Sequence, residues 1–343
     1  MDDSENGHGE GESGLLEWRK WKKRGEVFVQ QLTKAEKRER FWKQLKKQKS
    51  LHLILILAVV YLIIFNYIPM VGLLISFRKY KLSTGFAGFF TCEWVGLKWF
   101  KEFFASPMCS VVIRNTLVLS LLKLVIVFPI PIIFALMLNE IQHMGFKKFV
   151  QTASYLPYFM SWVIVTGLCY NLFSENYGLL NEVLMKIGLI EQPLRILTKG
   201  ENYWGLAIGT DVWKGMGWSS IIFIAAITGV DGALYEAAQI DGATRMQRIW
   251  HITLPCIKST IIMMLILTLG GLVSGNTQQA LLLGNDLNAA YSEIIDSYVL
   301  RMGLTKFRFD YATAIGLMQS IINAVLVFSA NAFSRKFAGA SLY

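Results

Sequence analysis

Apolar residues in this chain gather in long blocks and do not alternate with polar ones. Six blocks meet or approach the roughly 20 residues that a helix needs to cross the hydrocarbon of a bilayer: residues 51–77, 111–138, 150–173, 204–229, 257–283 and 312–332. The pattern predicts an all-α membrane protein with six transmembrane helices. Ahead of the first block the chain reads differently. Residues 1–14 are dominated by Gly, Asp, Glu and Ser, which bury too little surface to offset chain entropy and predict disorder. From Val27 onward Phe28, Leu32, Ala35, Trp42 and Leu45 recur at helical spacing among Lys34, Lys37, Arg38, Arg40, Lys43, Lys46 and Lys47. A basic amphipathic helix lying on the inner membrane surface accounts for that pattern. Inside the blocks, Pro69, Pro129, Pro131 and Pro157 remove backbone donors and predict kinks or interruptions.

Composition agrees with the blocks, since 54% of the residues are hydrophobic and 17% charged. The net charge of +10 does not point to nucleic acid, because 13 of the 34 Lys and Arg precede the first block; anionic lipid headgroups are the expected partner of that tail. Those charges predict a cytoplasmic N-terminus. Only the tail tips the count, for without it seven Lys and Arg fall on the inner side, Lys258 at the start of span five included, and eleven on the outer segments. Six spans then place residues 139–149, 230–256 and the C-terminus inside, and 78–110, 174–203 and 284–311 outside. About 50 polar residues before the first block disfavour a cleaved signal peptide, so the first span is expected to stay attached. The expected segments are a cytoplasmic tail at 1–50, a first helix at 51–77, a transmembrane core at 111–334 and a cytoplasmic end at 335–343.

The inner segment 230–256 carries the chemistry. Tyr235-Glu236-Ala237-Ala238-Gln239-Ile240-Asp241-Gly242-Ala243-Thr244 reads as a short helix closed by a glycine, and Arg245 to Pro255 as a second amphipathic helix entering the next span. Ala238 and Gly242, read as i and i+4 on one helix, leave a face small enough for another backbone to approach, with Glu236 and Asp241 as anionic anchors. An interfacial helix resting on lipid is the alternative, and two acids beside an anionic leaflet weigh against it.

Glu236-Ala237-Ala238, Gly242, Ile252, Leu254 and Pro255 resemble the EAA loop of binding-protein-dependent ABC importer permeases. Tyr67-Ile68-Pro69-Met70, the run Gln151 to Tyr158, and Ala330-Asn331 with Phe333 to Lys336 resemble the carbohydrate branch of that family, in particular permeases for aldouronate-type oligosaccharides. The resemblance covers residues 51–343. It implies the type I ABC importer permease fold, with Glu236, Ala237, Ala238, Asp241, Gly242 and Ala243 coupling the pore to a cytoplasmic ABC ATPase dimer. It also implies a heterodimer with a second homologous permease subunit, an extracellular solute-binding protein that delivers the sugar, and residence in the bacterial inner membrane.

The chain itself is not expected to be an enzyme. Lys258-Ser259 lacks the glycines of a phosphate-binding loop, Ile252 and Ile257 standing in their places. No cofactor is called for, and Cys92, Cys109, Cys169 and Cys256 lack the spacing and histidine companions of a metal site. Cys92 and Cys109 share one outer segment, and the sequence leaves open whether they form a disulfide.

Polar residues within spans mark candidate pathway positions. Span five carries Ser274, Asn276, Gln278 and Gln279 near Gly270, Gly271 and Gly275; amides match the donors and acceptors of sugar hydroxyls, and contact with a second subunit is the competing role. On one continuous helix Asn276 and Gln279 would share a face. Tyr158 and Trp213 are candidate stacking platforms among the aromatics of spans three and four, against a belt or packing role. Asp211 and Lys214 are expected to pair at i, i+3, and Lys123 has no partner in its own helix. A secondary transporter would need more intramembrane acids than Asp211, and a membrane-anchored sensor would need a larger soluble segment than the 33-residue outer loop.

Overall fold

A computed structural model of the chain describes residues 48–338. The basic helix expected between Phe28 and Lys47, and residues 339–343, lie outside the described residues. Two compact units divide at Met70 and Val71. In the first, α1 (Lys49–Leu62) continues through a π turn, Ile63–Tyr67, and the short helix Ile68–Met70. Leu53, Leu57 and Phe65 on it are exposed, as a lipid-facing span requires.

In the second unit, α2 (Lys98–Ala105) precedes α3 (Pro107–Leu122), whose start is fixed by Pro107 in the first turn and by Ser106, whose Oγ accepts from Met108 N. The π turn Lys123–Val127 joins α3 to α4 (Pro129–Asn139). Together they form one 33-residue apolar span, Pro107–Asn139. Three buried apolar clusters lie along this span. Cys109 and Val112 meet Trp99, Tyr298 and Ile315 at one end. Leu119 meets Tyr203, Ala207 and Leu283 in the middle, and Ile132 and Ala135 meet Phe223 and Ile227 at the other end. The long helix α8, from Tyr203 to Thr228, therefore runs parallel to span two.

Two of the remaining blocks, 150–173 and 257–283, are broken. Residues 150–173 do not form one helix: α5 (Met144–Tyr155), extended by a tight turn to Phe159, meets α6 (Trp162–Phe173) at 103°. After α6 come α7 (Leu179–Lys186) and then α8, which turns by 71° into α9 (Gly232–Ile240). The next helical segment begins as α10 (Arg245–Arg248), and at Ile257 it bends by 64° into α11 (Lys258–Gly270). Span five also departs from the expected 257–283. Its helix stops at Gly270, and a second helix, α12 (Thr277–Leu283), begins only after a non-helical stretch capped by Asn276. Two apolar helices separated by glycines read as one block by composition alone. The segment after α12, expected as an outer loop, is packed into the core through α13 (Ile295–Leu300), where Ile295 and Tyr298 are buried. Finally α14 (Phe309–Ala338) packs along α11.

Proline and π turns are linked. Pro69, Pro129 and Pro255 each follow the end of a π turn by two residues, after Ile63–Tyr67, Lys123–Val127 and Ile249–Thr253. A proline ring clashes with the carbonyl four residues back and offers it no N–H; one extra residue in the preceding turn moves that carbonyl aside, and the helix continues. Pro157 stands at a sharper break, in the tight turn Leu156–Phe159.

Candidate functional site

Local chemistry builds the hairpin between α8 and α11. Asp231 starts α9, its Oδ1 accepting from Ala233 N at 3.0 Å. The helix ends because Gly242 takes φ +78°, a left-handed conformation that a glycine enters without penalty. Gly242 N then bonds Gln239 O at 3.1 Å and Ala243 N bonds Ala238 O at 2.9 Å, satisfying the last carbonyls. Gly242 is thus beyond the helix and does not share a helical face with Ala238. Thr244 and Gln247 form a capping box that starts α10, and Tyr235 Oη lies 2.9 Å from Thr253 Oγ1, locking the two arms together.

Of the six residues read from the sequence as the coupling set, Ala238, Asp241, Gly242 and Ala243 line one hollow of about 370 Å3 with Gln247, Arg248, His251 and Ile252. Glu236 and Ala237 are exposed outside it. Ile240 at the tip is 87% exposed, and Leu234 and Met246 are also exposed. The capped hairpin thus exposes apolar side chains beside carboxylates.

The polar residues of span five divide into two groups. Asn276 caps α12, its Oδ1 accepting from Gln279 N at 3.2 Å, and its Nδ2 donates to Asp211 at 3.3 Å. Gln279 is buried and donates to Ala207 O and Thr210 Oγ1, both at 2.8 Å. Both amides therefore turn into the protein. Ser274 and Gln278 are the exposed ones. Tyr158 stacks on Trp218 with ring centroids 4.6 Å apart, and Trp213 borders an apolar groove of about 410 Å3 between α6 and α8.

The expected pair of Asp211 with Lys214 does not form. Asp211 instead pairs with Lys123, Oδ2 to Nζ 3.0 Å, and Lys214 bonds backbone carbonyls around Pro157. In lipid a charge goes where the most unsatisfied groups are, and the carboxylate oxygens of Asp211 are engaged by Lys123 and Asn276. Asp296 and Gln319 were not foreseen. Asp296 accepts from Gly275 N at 2.7 Å and from Gln319 Nε2 at 3.1 Å, and Gln319 also donates to Val273 O at 3.0 Å. An acid directly after the apolar pair Ile294-Ile295 was the available signal. Cys92 and Cys109 are both free thiols.

Residues 108–339 match the family described as the binding-protein-dependent transport system inner membrane component. The chain belongs to that family. The permease is 43% identical, over 90% of its own length and 95% of the relative's, to the "Polygalacturonan/rhamnogalacturonan transport system permease protein YteP" of Bacillus subtilis. It is 41% identical to "Protein LplB" of the same organism, over 85% and 91% of the two chains. Its fold matches a chain in the crystal structure of a bacterial alginate ABC transporter in complex with alginate pentasaccharide-bound periplasmic protein. That match has a TM-score of 0.81 and 37% identity, and covers 88% of the permease and all of that chain.

Proposed function

We propose that this chain is one of two homologous permease subunits that together line the membrane pathway of an oligosaccharide importer. A separate ATPase dimer seated on the hairpin 231–256 powers it, and an extracellular binding protein loads it. The observation that carries the reading is the hairpin itself: its helix ends are capped within the chain, yet Ile240, Leu234, Glu236 and Asp241 are left exposed among the described residues. The names of relatives that handle polygalacturonan and alginate support an acidic oligosaccharide as cargo. Co-expression with a candidate ATPase, partner permease and binding protein tests the reading. The four are expected to co-purify and to hydrolyse ATP faster when the loaded binding protein is added. ATP hydrolysis indifferent to this chain would sink it.

Within the pathway, Gln278 and Ser274, whose Oγ also accepts from Asn323 Nδ2 at 2.9 Å, are the exposed groups that can meet sugar hydroxyls. The double variant Ser274→Ala with Gln278→Leu is expected to slow uptake about five- to tenfold with the complex intact, the effect of losing one or two hydrogen bonds. Asn276→Leu with Gln279→Leu should instead lower the yield of assembled complex, because it strips partners from Asp211, Ala207 O and Thr210. Normal uptake in the first variant would remove Ser274 and Gln278 from the pathway.

The basic tail supports a cytoplasmic N-terminus, an orientation with Cys92 outside and the exposed Cys256 inside. The hydrogen bond between Thr84 Oγ1 and Cys92 Sγ, at 3.6 Å, followed by the backbone at Lys81 and the charges of Arg78 and Lys81, holds the Cys92 thiol below its ordinary pKa. A membrane-impermeant maleimide should label Cys92 on intact cells and reach Cys256 only after permeabilisation. The labelling rate at Cys92 should rise at lower pH than for an ordinary thiol, because the thiolate is the reactive form, and Thr84→Ala should move that rise upward. Labelling of Cys256 alone from outside would reverse the topology.

A further inference from the structure

Asp211 and Lys214 stand three residues apart on α8, and each is tied to a different interruption of the bundle. An ammonium has three donors, and Lys214 uses all of them, reaching Pro157 O at 3.4 Å and Tyr158 O and Met160 O at 2.6 Å each. These carbonyls close the helix that ends at Phe159, where intrahelical partners run out and hydrocarbon supplies no water. A cation at that end also opposes the helix dipole. The rings of Tyr158 and Trp162, 5.4 and 5.7 Å away, cover the charge. Lys214 therefore fixes the point at which the chain turns by 103° into α6.

Asp211 does the same for span five. One carboxylate oxygen is 3.0 Å from Lys123 Nζ in the π turn of span two, and the other accepts from Asn276 Nδ2, the residue that starts α12. The rest of the break is held from elsewhere: Ser120 Oγ donates to Leu272 O at 2.6 Å, and Asp296 accepts from Gly275 N. Below these two ties α8 continues without interruption to Thr228, about 21 Å further along its axis, and passes through Gly229, Val230 and Asp231 into α9.

We infer that α8 is the shaft through which displacement of the hairpin reaches the breaks in spans three and five, with Lys214 and Asp211 as the positioning residues that fasten those breaks to it. This rests on the coupling role proposed for the hairpin. A side chain that only filled space would matter for assembly; a fastener matters for how much transport each ATP drives.

The test uses the full complex in proteoliposomes, measuring assembled yield, ATP hydrolysis stimulated by the loaded binding protein, and ATP consumed per sugar imported. Lys214→Met keeps the length of the side chain and removes the donors. It is expected to assemble and hydrolyse ATP, with ATP consumed per sugar raised about tenfold, the size of a typical coupling free energy. Lys214→Arg, which keeps the charge and donors, should recover most of that. Asp211→Asn, which can still pair with Asn276, is the second variant and should uncouple in the same direction. Unchanged stoichiometry in Lys214→Met and Asp211→Asn overturns the inference. So does loss of assembly in both, which would make the ties purely structural, and so does Lys214→Arg behaving no better than Met. Failure of the wild-type complex to show stimulated hydrolysis would instead condemn the coupling role beneath it.

Discussion

Gly217→Ala is expected to leave little assembled permease after detergent extraction, although it adds a single methyl group. Gly217 is buried on α8, and a Cβ there would overlap the carbonyl oxygen and carbon of Ser154 on α5. The obstacle is backbone, so no rotamer change relieves it and the two helices must part. Small residues that let helix backbones touch are a main source of packing energy in lipid, where burial of apolar surface gains nothing. The separation would also carry the carbonyls of Pro157, Tyr158 and Met160 away from Lys214, one turn along the same helix. A loss of about 3 kcal/mol follows from overpacking alone. Gly209→Ala and Gly215→Ala are the controls, since a Cβ at either position meets nothing within 4 Å, and both should melt within about 0.5 kcal/mol of wild type. Equal melting of Gly217→Ala would mean that α5 and α8 are not in backbone contact.

What the sequence made legible was local or compositional. The apolar blocks gave the membrane class, and the hairpin 231–256 was readable because each of its signals acts within a few residues: Asp231 as a cap, Gly242 as a terminator, Thr244 with Gln247 as a box. The breaks in spans three and five also left local marks. Ser161 stands where it caps α6, its Oγ accepting from Ile164 N at 3.3 Å, and Asn276 followed three residues later by Gln279 is a helix-start pattern. Both marks sit inside apolar blocks of spanning length, and hydropathy summed over about 20 residues outweighed them. Partners of the buried charges were not legible for a different reason. Lys123 and Asp211 are 88 positions apart in the chain, and Lys214 binds backbone, which carries no residue code. Local spacing therefore paired Asp211 with Lys214, the one charged neighbour it could see. The same limit turned Asn276 and Gln279 toward the pathway on paper, whereas the hydrogen bonds of Gln279 to Ala207 O and Thr210 turn it into the protein.

Substitutions at Gly242 should separate two things that the hairpin needs, its own shape and room for its partner. The position has φ +78°, where a side chain with a Cβ is strained by about 1–2 kcal/mol, Asn and Asp being the side chains that tolerate it best. Yet among the described residues nothing lies within 4 Å of a Cβ built there, so none of them opposes the side chain itself. Any penalty beyond backbone strain must come from whatever covers the hollow lined by Ala238, Asp241 and Ala243. Gly242→Asn keeps the turn and adds no charge; it should retain most of the ATP hydrolysis stimulated by the binding protein. Gly242→Asp has nearly the same shape and the same backbone tolerance, but it places a second carboxylate beside Asp241 against the ATPase. It is expected to lower stimulated hydrolysis and uptake about tenfold or more, as burying an unpaired charge at an interface does, with membrane insertion and pairing to the second permease unchanged. Gly242→Val, which fits the left-handed region worst, should fail together with the Asp variant but through loss of the turn, visible as faster proteolysis between α9 and α10. Should Asp and Asn behave alike and both couple normally, no partner lies over Gly242, and the ATPase must dock elsewhere on the cytoplasmic face.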